Sequence, residues 1–195
     1  MRKGEMTRHA ILDAALRTAR YSGLSGLTIG NLASETGMSK SGLYAHFKSK
    51  QALQLATMAH NRDAFVAEAI KPALAAPRGE KRLRALVANW MDWYRHPGGC
   101  LFLSAANEFD DIPGVVHDQV ISDEEDLRDT LRQIIGTLVS CGDVVADADV
   151  PQLAQEIFGI LLGHNWATRV LKDPRAEAHT WTAFDRLLDS LRPSR

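Results

Sequence analysis

Residues 28–50 read TIGNLASETGMSKSGLYAHFKSK, and the punctuation of this stretch decides the fold. Thr28, Ser39 and Ser49 each precede a helical pattern and can cap it by accepting from a first-turn N–H. Gly37 falls between the first two patterns, where a residue tolerant of left-handed backbone is needed. The spacing predicts a short helix carrying Ile29, Leu32 and Ala33, a tight turn at Gly37, and a second short helix carrying Leu43, Tyr44 and Phe47. Leu32, Ala33, Met38, Leu43 and Phe47 supply the packing between the two, and the small Ala33 lets them cross closely. That is the layout of a helix-turn-helix, whose second helix lies in the DNA major groove. Its outward groups are Lys40, Ser41, Gly42, Tyr44, Ala45 and His46, several of them short enough for the backbone to approach base edges. Thr28, Tyr44, Lys48 and Lys50 suit phosphate contact, with helix N-termini at Thr28 and Ser49 adding favourable dipoles.

The charge distribution agrees. Residues 1–50 carry eight Lys and Arg against three acids, while the remaining 145 residues carry 15 bases and 21 acids, so a net charge of −1 conceals a basic head on an acidic body. Upstream, Thr7 is expected to cap a helix carrying Ile11, Leu12, Ala15, Leu16 and Ala19, stopped at Gly23. Downstream, Ser49 opens a longer helix through Leu53, Leu55, Met58, Phe65 and Ile70, ended by Pro72 and Pro77. Further helical patterns contain Leu83 to Tyr94, Cys100 to Phe109, Leu127 to Leu138, a helix capped by Asp149 with Pro151 inside its start, and a last one with Trp181, Phe184, Leu187, Leu188 and Leu191. Strand signals are weak throughout. The expected fold is all-α with about nine helices, divided into a reading head at 1–52 and a helical effector-binding and dimerisation part at 53–195. The acidic run Asp123-Glu124-Glu125-Asp126 is expected to face solvent.

From Thr28 to Lys50, the pairs Leu32-Ala33, Leu43-Tyr44, His46-Phe47 and Ser49-Lys50, with Gly37-Met38-Ser39-Lys40, closely resemble the DNA-binding signature of the tetracycline-repressor family. Ile11-Leu12, Ala14-Ala15 and Gly23 extend the resemblance to about residues 8–55. It implies a homodimeric transcriptional regulator, usually a repressor, with three N-terminal helices that read a double-stranded operator. The variable C-terminal part of such proteins binds a small effector and forms the dimer. By the same resemblance Lys40, Ser41, Gly42 and Tyr44, behind the cap Ser39, are the recognition contacts, and Thr28, His46 and Lys50 sit at phosphates. Two departures stand out. Thr18 and Ala19 occupy places where the family usually has Leu-Phe, so Tyr21 or Leu24 must restore that packing. Ser41-Gly42 stands where Gly-Thr is commoner.

In the C-terminal part, Trp90, Trp93, Tyr94, Phe102, Phe109, Phe158 and Trp166 form an aromatic set that lines either a ligand cavity or a plain core. Asn107, Glu108 and Asn165 add polar groups able to orient a small, largely apolar effector. Residues 153–171 are apolar nearly all round, so that helix has two faces to bury. Leu153, Ile157, Ile160 and Gly163, with Trp181, Phe184 and Leu188 of the last helix, are the expected seam with a second copy.

Other classes fit less well. Two cysteines, Cys100 and Cys141, give no disulfide framework and no paired metal motif. A thiol enzyme using Cys100 would need an activating histidine, and no nucleophile signature surrounds His96. A helical adaptor for another protein is the remaining alternative, opposed by the basic, small-residue recognition face. No metal or cofactor is expected. No apolar stretch approaches a membrane span or a secretion signal, and a cytoplasmic location is expected.

Overall fold

The computed structural model describes residues 3–193, with side chains from residue 8 onward. The helices are α1 (Lys3–Gly26), α2 (Ile29–Thr36), α3 (Lys40–His46), α4 (Lys50–Phe65), a π-helical turn (Val66–Ile70), α5 (Lys71–Ala75), α6 (Glu80–Tyr94), α7 (Leu101–Phe109), α8 (Val115–Cys141), α9 (Val150–Arg169) and α10 (Ala176–Asp189). Taking α4, the π turn and α5 as one run along the chain leaves nine helices and no strand among the described residues. No helix among them is long and apolar enough to cross a membrane.

Two local expectations change. Thr7 lies inside α1 rather than at its start, and its side chain lies outside the described residues. Pro72 does not end the helical run but sits in the first turn of α5. There its missing N–H costs little, because the π turn before it has already broken the ordinary hydrogen-bond register.

The chain forms two compact units, Met1–Phe65 with His96–Glu124, and Val66–Arg95 with Glu125–Arg195. They do not follow the division between residues 52 and 53. In the first unit, α7 and the start of α8 share one core with α1 to α4. That core contains Ile11, Leu12, Ala15, Leu16, Leu24, Leu27, Leu32, Leu43, Phe47 and Leu53, joined by Leu101, Ala105, Phe109, Val116 and Val120. Near the place of the family's usual Leu-Phe pair, Ala19 and Leu24 are fully buried, whereas Tyr21 is exposed. Thr18 turns its hydroxyl to Ala14 O at 3.0 Å and also meets Glu35.

In the second unit, Leu83, Leu86, Val87, Trp90, Trp93 and Tyr94 of α6 are buried, with Leu131, Ile135 and Leu138 of α8 and Leu161 of α9. Leu153, Ile157, Phe184 and Leu188, expected at a seam with a second copy, are buried in the chain's own core instead. The physical reason is that α9 and α10 pack on one another and use those side chains first. Ile160, Gly163 and Trp181 keep part of their surface open.

Candidate nucleic-acid interface and cavity

The reading head is built by its caps. Thr28 Oγ1 accepts from Asn31 N at 3.1 Å and starts α2. Gly37 ends it at φ 67°, ψ 12°, the left-handed conformation that reverses the chain without a Cβ penalty. Ser39 Oγ accepts from Gly42 N at 3.1 Å and starts α3; Ser49 Oγ accepts from Ala52 N at 3.1 Å and starts α4. Each such cap is worth about 1 kcal/mol. Within α3, Leu43 is buried, and Phe47 closes the helix behind it. The opposite face is open. Lys40 and Ser41 are exposed, Tyr44 is 52% exposed, and Gly42 and His46 are half-buried. Ser41 Oγ lies 3.1 Å from Ser39 Oγ, so the two hydroxyls form one polar edge at the start of α3.

The lysines divide. Lys48 is exposed, while Lys50 Nζ donates to Ser25 O at 2.6 Å and so ties the start of α4 to the corner before α2. Arg8, which the sequence reading passed over, stacks its guanidinium 5.3 Å over the Phe47 ring and adds a cation beside α3. The only sign of it in the sequence is its share of the basic N-terminal balance.

Glu108 has a different place from the one expected. Its carboxylate accepts from Leu24 N at 2.7 Å and from Ser25 N at 3.3 Å, the amides that follow Gly23. Gly23 breaks α1 with φ 71°, ψ 170°, a conformation open essentially to glycine alone. A Cβ there would lie 2.2 Å from Glu108 Oε1, so the glycine is also needed to admit the carboxylate. Glu108 is therefore held by the reading head rather than presented to a cavity.

The aromatic set named from sequence divides between the units. Phe102, Asn107, Glu108 and Phe109 fall in the first; Trp90, Trp93, Tyr94, Phe158, Asn165 and Trp166 fall in the second. Trp90 packs edge-on to Phe158 at 6.1 Å, Trp93 and Tyr94 are buried, and Trp166 is 59% exposed. Asn107 donates to Leu103 O at 2.9 Å on its own helix, at the surface. Of the set, Phe102 lines a small, partly open cavity, together with Met58, Asn61, Leu101, Ala105, Val120, Asp123 and Glu124. The space is wide enough for about one ordered water.

Asp123 is 2% exposed, against the expectation that its acidic run faces solvent. It pairs with Arg62 and accepts from Gln119 Nε2 at 2.9 Å. Its Oδ2 and the buried Asn61 Oδ1 find no hydrogen-bond partner among the described residues. Sequence reasoning missed both because neither breaks its helical pattern.

A capped helix, a glycine turn and a second helix turning lysine, serine and tyrosine outward over a sealed apolar back define a helix-turn-helix DNA-binding regulator. The chain belongs to the tetracycline-repressor family: residues 11–57 match the bacterial regulatory proteins of the tetR family, and residues 79–184 match the tetracyclin repressor-like C-terminal domain. Its members are transcription factors rather than enzymes. It is 38% identical to the HTH-type transcriptional regulator BetI of Burkholderia thailandensis over 85 residues, which are 43% of this chain and 44% of that protein. The matched stretch thus spans less than half of that relative. A TetR transcriptional regulator from Chloroflexus aurantiacus superposes with a TM-score of 0.84 at 26% identity, covering 97% of this chain and 96% of that one. AibR, solved in complex with isovaleryl coenzyme A and operator DNA, superposes with a TM-score of 0.70 at 21% identity, over 96% of this chain and all of that one (100%).

Proposed function

We propose that the chain is a cytoplasmic homodimeric repressor that occupies a pseudo-palindromic operator and is released by a small, largely apolar effector. The observation that carries the reading is the open face of α3, Lys40, Ser41 and Tyr44 over buried Leu43 and Phe47. Lys40, Ser41 and Gly42 meet base edges; Thr28, Ser39, Tyr44, His46, Lys48 and Lys50 meet phosphate and sugar. Occupying the site is enough to exclude other proteins from it. A two-fold dimer spaces its recognition helices by about 34–36 Å or a multiple, so the operator is an inverted repeat.

The second copy is taken by α9. Gly159, Leu162, Gly163, Trp166 and Val170 recur at helical spacing along one stripe, which leaves Leu162, Trp166 and Val170 exposed. A Cβ at Gly159 or Gly163 would meet nothing within 4 Å among the described residues, so the space over these two glycines is open. An apolar stripe of this kind supports self-association. Ile160 and Trp181 flank it.

The effector enters the cavity of the first unit. Apolar walls from Met58, Leu101, Phe102, Ala105 and Val120 supply burial, while Asn61 Oδ1 and Asp123 Oδ2 accept from a donor on the ligand. α7 carries one wall of the cavity and also Glu108, which grips Leu24 and Ser25. A ligand that widens the cavity therefore displaces α7 and loosens the corner before α2. The coupling expected is about 1–3 kcal/mol, or about 5–150-fold in operator affinity. The test is operator release by small apolar molecules bearing one hydrogen-bond donor, compared between the native chain and Ala105→Leu. Release that is lost in the variant, with operator affinity retained, supports the site. Equal release from both places the effector elsewhere.

A further inference from the structure

We propose that His9, Asp13 and His60 form a binding site for a divalent transition-metal ion of the zinc type, which ties α1 to α4 inside the reading unit. His9 and Asp13 are four residues apart on α1 and so lie on one helical face. His60 reaches them from α4. His60 Nε2 lies 2.7 Å from Asp13 Oδ1, His9 Nε2 lies 4.0 Å from Asp13 Oδ2, and one ligand atom from each residue falls within 4.8 Å of the others. The two imidazole rings stand edge to face, with centroids 4.8 Å apart and planes at 83°.

These distances bracket what a metal needs. Nitrogen and oxygen ligands sit about 2.0–2.2 Å from zinc, which places tetrahedral ligand atoms about 3.3 Å from one another. The His60–Asp13 contact must open by a few tenths of an ångström, and His9 must swing in. His9 is the member able to do so, because its side chain is 62% exposed, whereas that of His60 is 12% exposed and holds its place. Two imidazoles and one carboxylate suit zinc, copper, nickel or cobalt; magnesium and calcium prefer all-oxygen cages. Three protein ligands leave a fourth position for water.

The ordinary reading is a hydrogen bond between His60 and Asp13. It accounts for two of the three residues, while the i, i+4 spacing from Asp13 and the edge-to-face contact with His60 bring His9 alongside them. A bound ion accounts for all three. None of the three residues belongs to α3 or lines the cavity, so the proposal uses no residue of the effector reading.

The experiment uses the full chain, free of any affinity tag, titrated with Zn²⁺ in metal-free buffer. Calorimetry or competition with a coloured chelator counts the ions bound, and thermal melts are recorded with and without Zn²⁺. The expected result is a saturable site of one Zn²⁺ per chain that raises the Tm. His9→Gln and His60→Gln each weaken that site by at least about tenfold and abolish the rise in Tm. His117→Gln and His179→Gln, which alter histidines paired with other carboxylates, leave it unchanged. His9 is exposed, so its variant keeps the fold even where His60→Gln does not. No saturable binding by the native chain, or binding of equal strength in His9→Gln, overturns the proposal.

Discussion

Glu108→Ala removes the carboxylate that receives the Leu24 and Ser25 amides. The Leu24 bond is short, at 2.7 Å, and partly buried; the Ser25 bond, at 3.3 Å, is exposed. A hydrogen bond to a charged group contributes about 1.5–3 kcal/mol, and the exposed half adds little. The expected loss is about 2 kcal/mol, which in a chain of this length lowers Tm by about 4–8 °C. The local readout is amide exchange at Leu24, which the same loss speeds about thirtyfold. Gly23→Ala sharpens the test, since its Cβ would fall 2.2 Å from Glu108 Oε1 at a φ of 71°. Alone it costs the backbone strain, about 1–3 kcal/mol, plus the displaced carboxylate bond. In the Glu108→Ala background only the strain remains. The double variant is therefore less destabilised than the two single effects together, by about 2 kcal/mol. Additive effects, or unchanged Leu24 exchange in Glu108→Ala, would show that Glu108 does not hold the corner.

Two further outcomes follow from the second unit. Gly163→Phe places a ring where a Cβ would meet nothing within 4 Å among the described residues, so sedimentation at micromolar concentration should shift from dimer to monomer. Trp166→Ser should do the same: each chain loses roughly 120 Å² of apolar surface from the seam, about 3 kcal/mol, and because both chains lose it the dimer affinity falls by about ten-thousandfold. Wild-type sedimentation as a monomer would remove the interface. His164 is buried, stacks at 6.4 Å on Tyr94 and meets Thr180 Oγ1 at 2.9 Å. Burial pushes its pKa below the ordinary imidazole value. The unfolded chain then binds the proton first, so stability is complete above about pH 6.5 and declines as the pH falls through that value towards the lower folded pKa. Melts at pH 7.5 and 5.5 should show this decline, and His164→Gln should reduce it. An unchanged slope in the variant would assign the effect to other groups.

The reading head was legible because its signals are local. Thr28, Ser39 and Ser49 cap within three residues of themselves, and Gly37 ends α2 by its own backbone. Glu108 was misplaced because its partners are backbone amides 83 and 84 residues away, and an amide has no letter in the sequence. Asp123 was hidden in a run of four acids, although helical periodicity turns one of them inward beside Arg62. Leu153, Ile157, Phe184 and Leu188 show the limit of periodicity. It finds apolar faces on α9 and α10 but does not say which face the chain covers itself, and the exposed stripe through Leu162 and Trp166 became visible only with the packing.

On the proposed function, the open face of α3 reads an inverted repeat. The most direct test selects binding sites from random DNA with the native chain, then measures affinity for the winning site by fluorescence anisotropy over a salt series. Selection should enrich a pseudo-palindrome, and binding to it should weaken steeply with salt. Tyr44→Ala and Lys50→Ala should bind more weakly on every sequence, and Lys40→Ala should also change base preference. Failure to enrich any inverted repeat, or three variants that bind the selected site as tightly as the native chain, would contradict it.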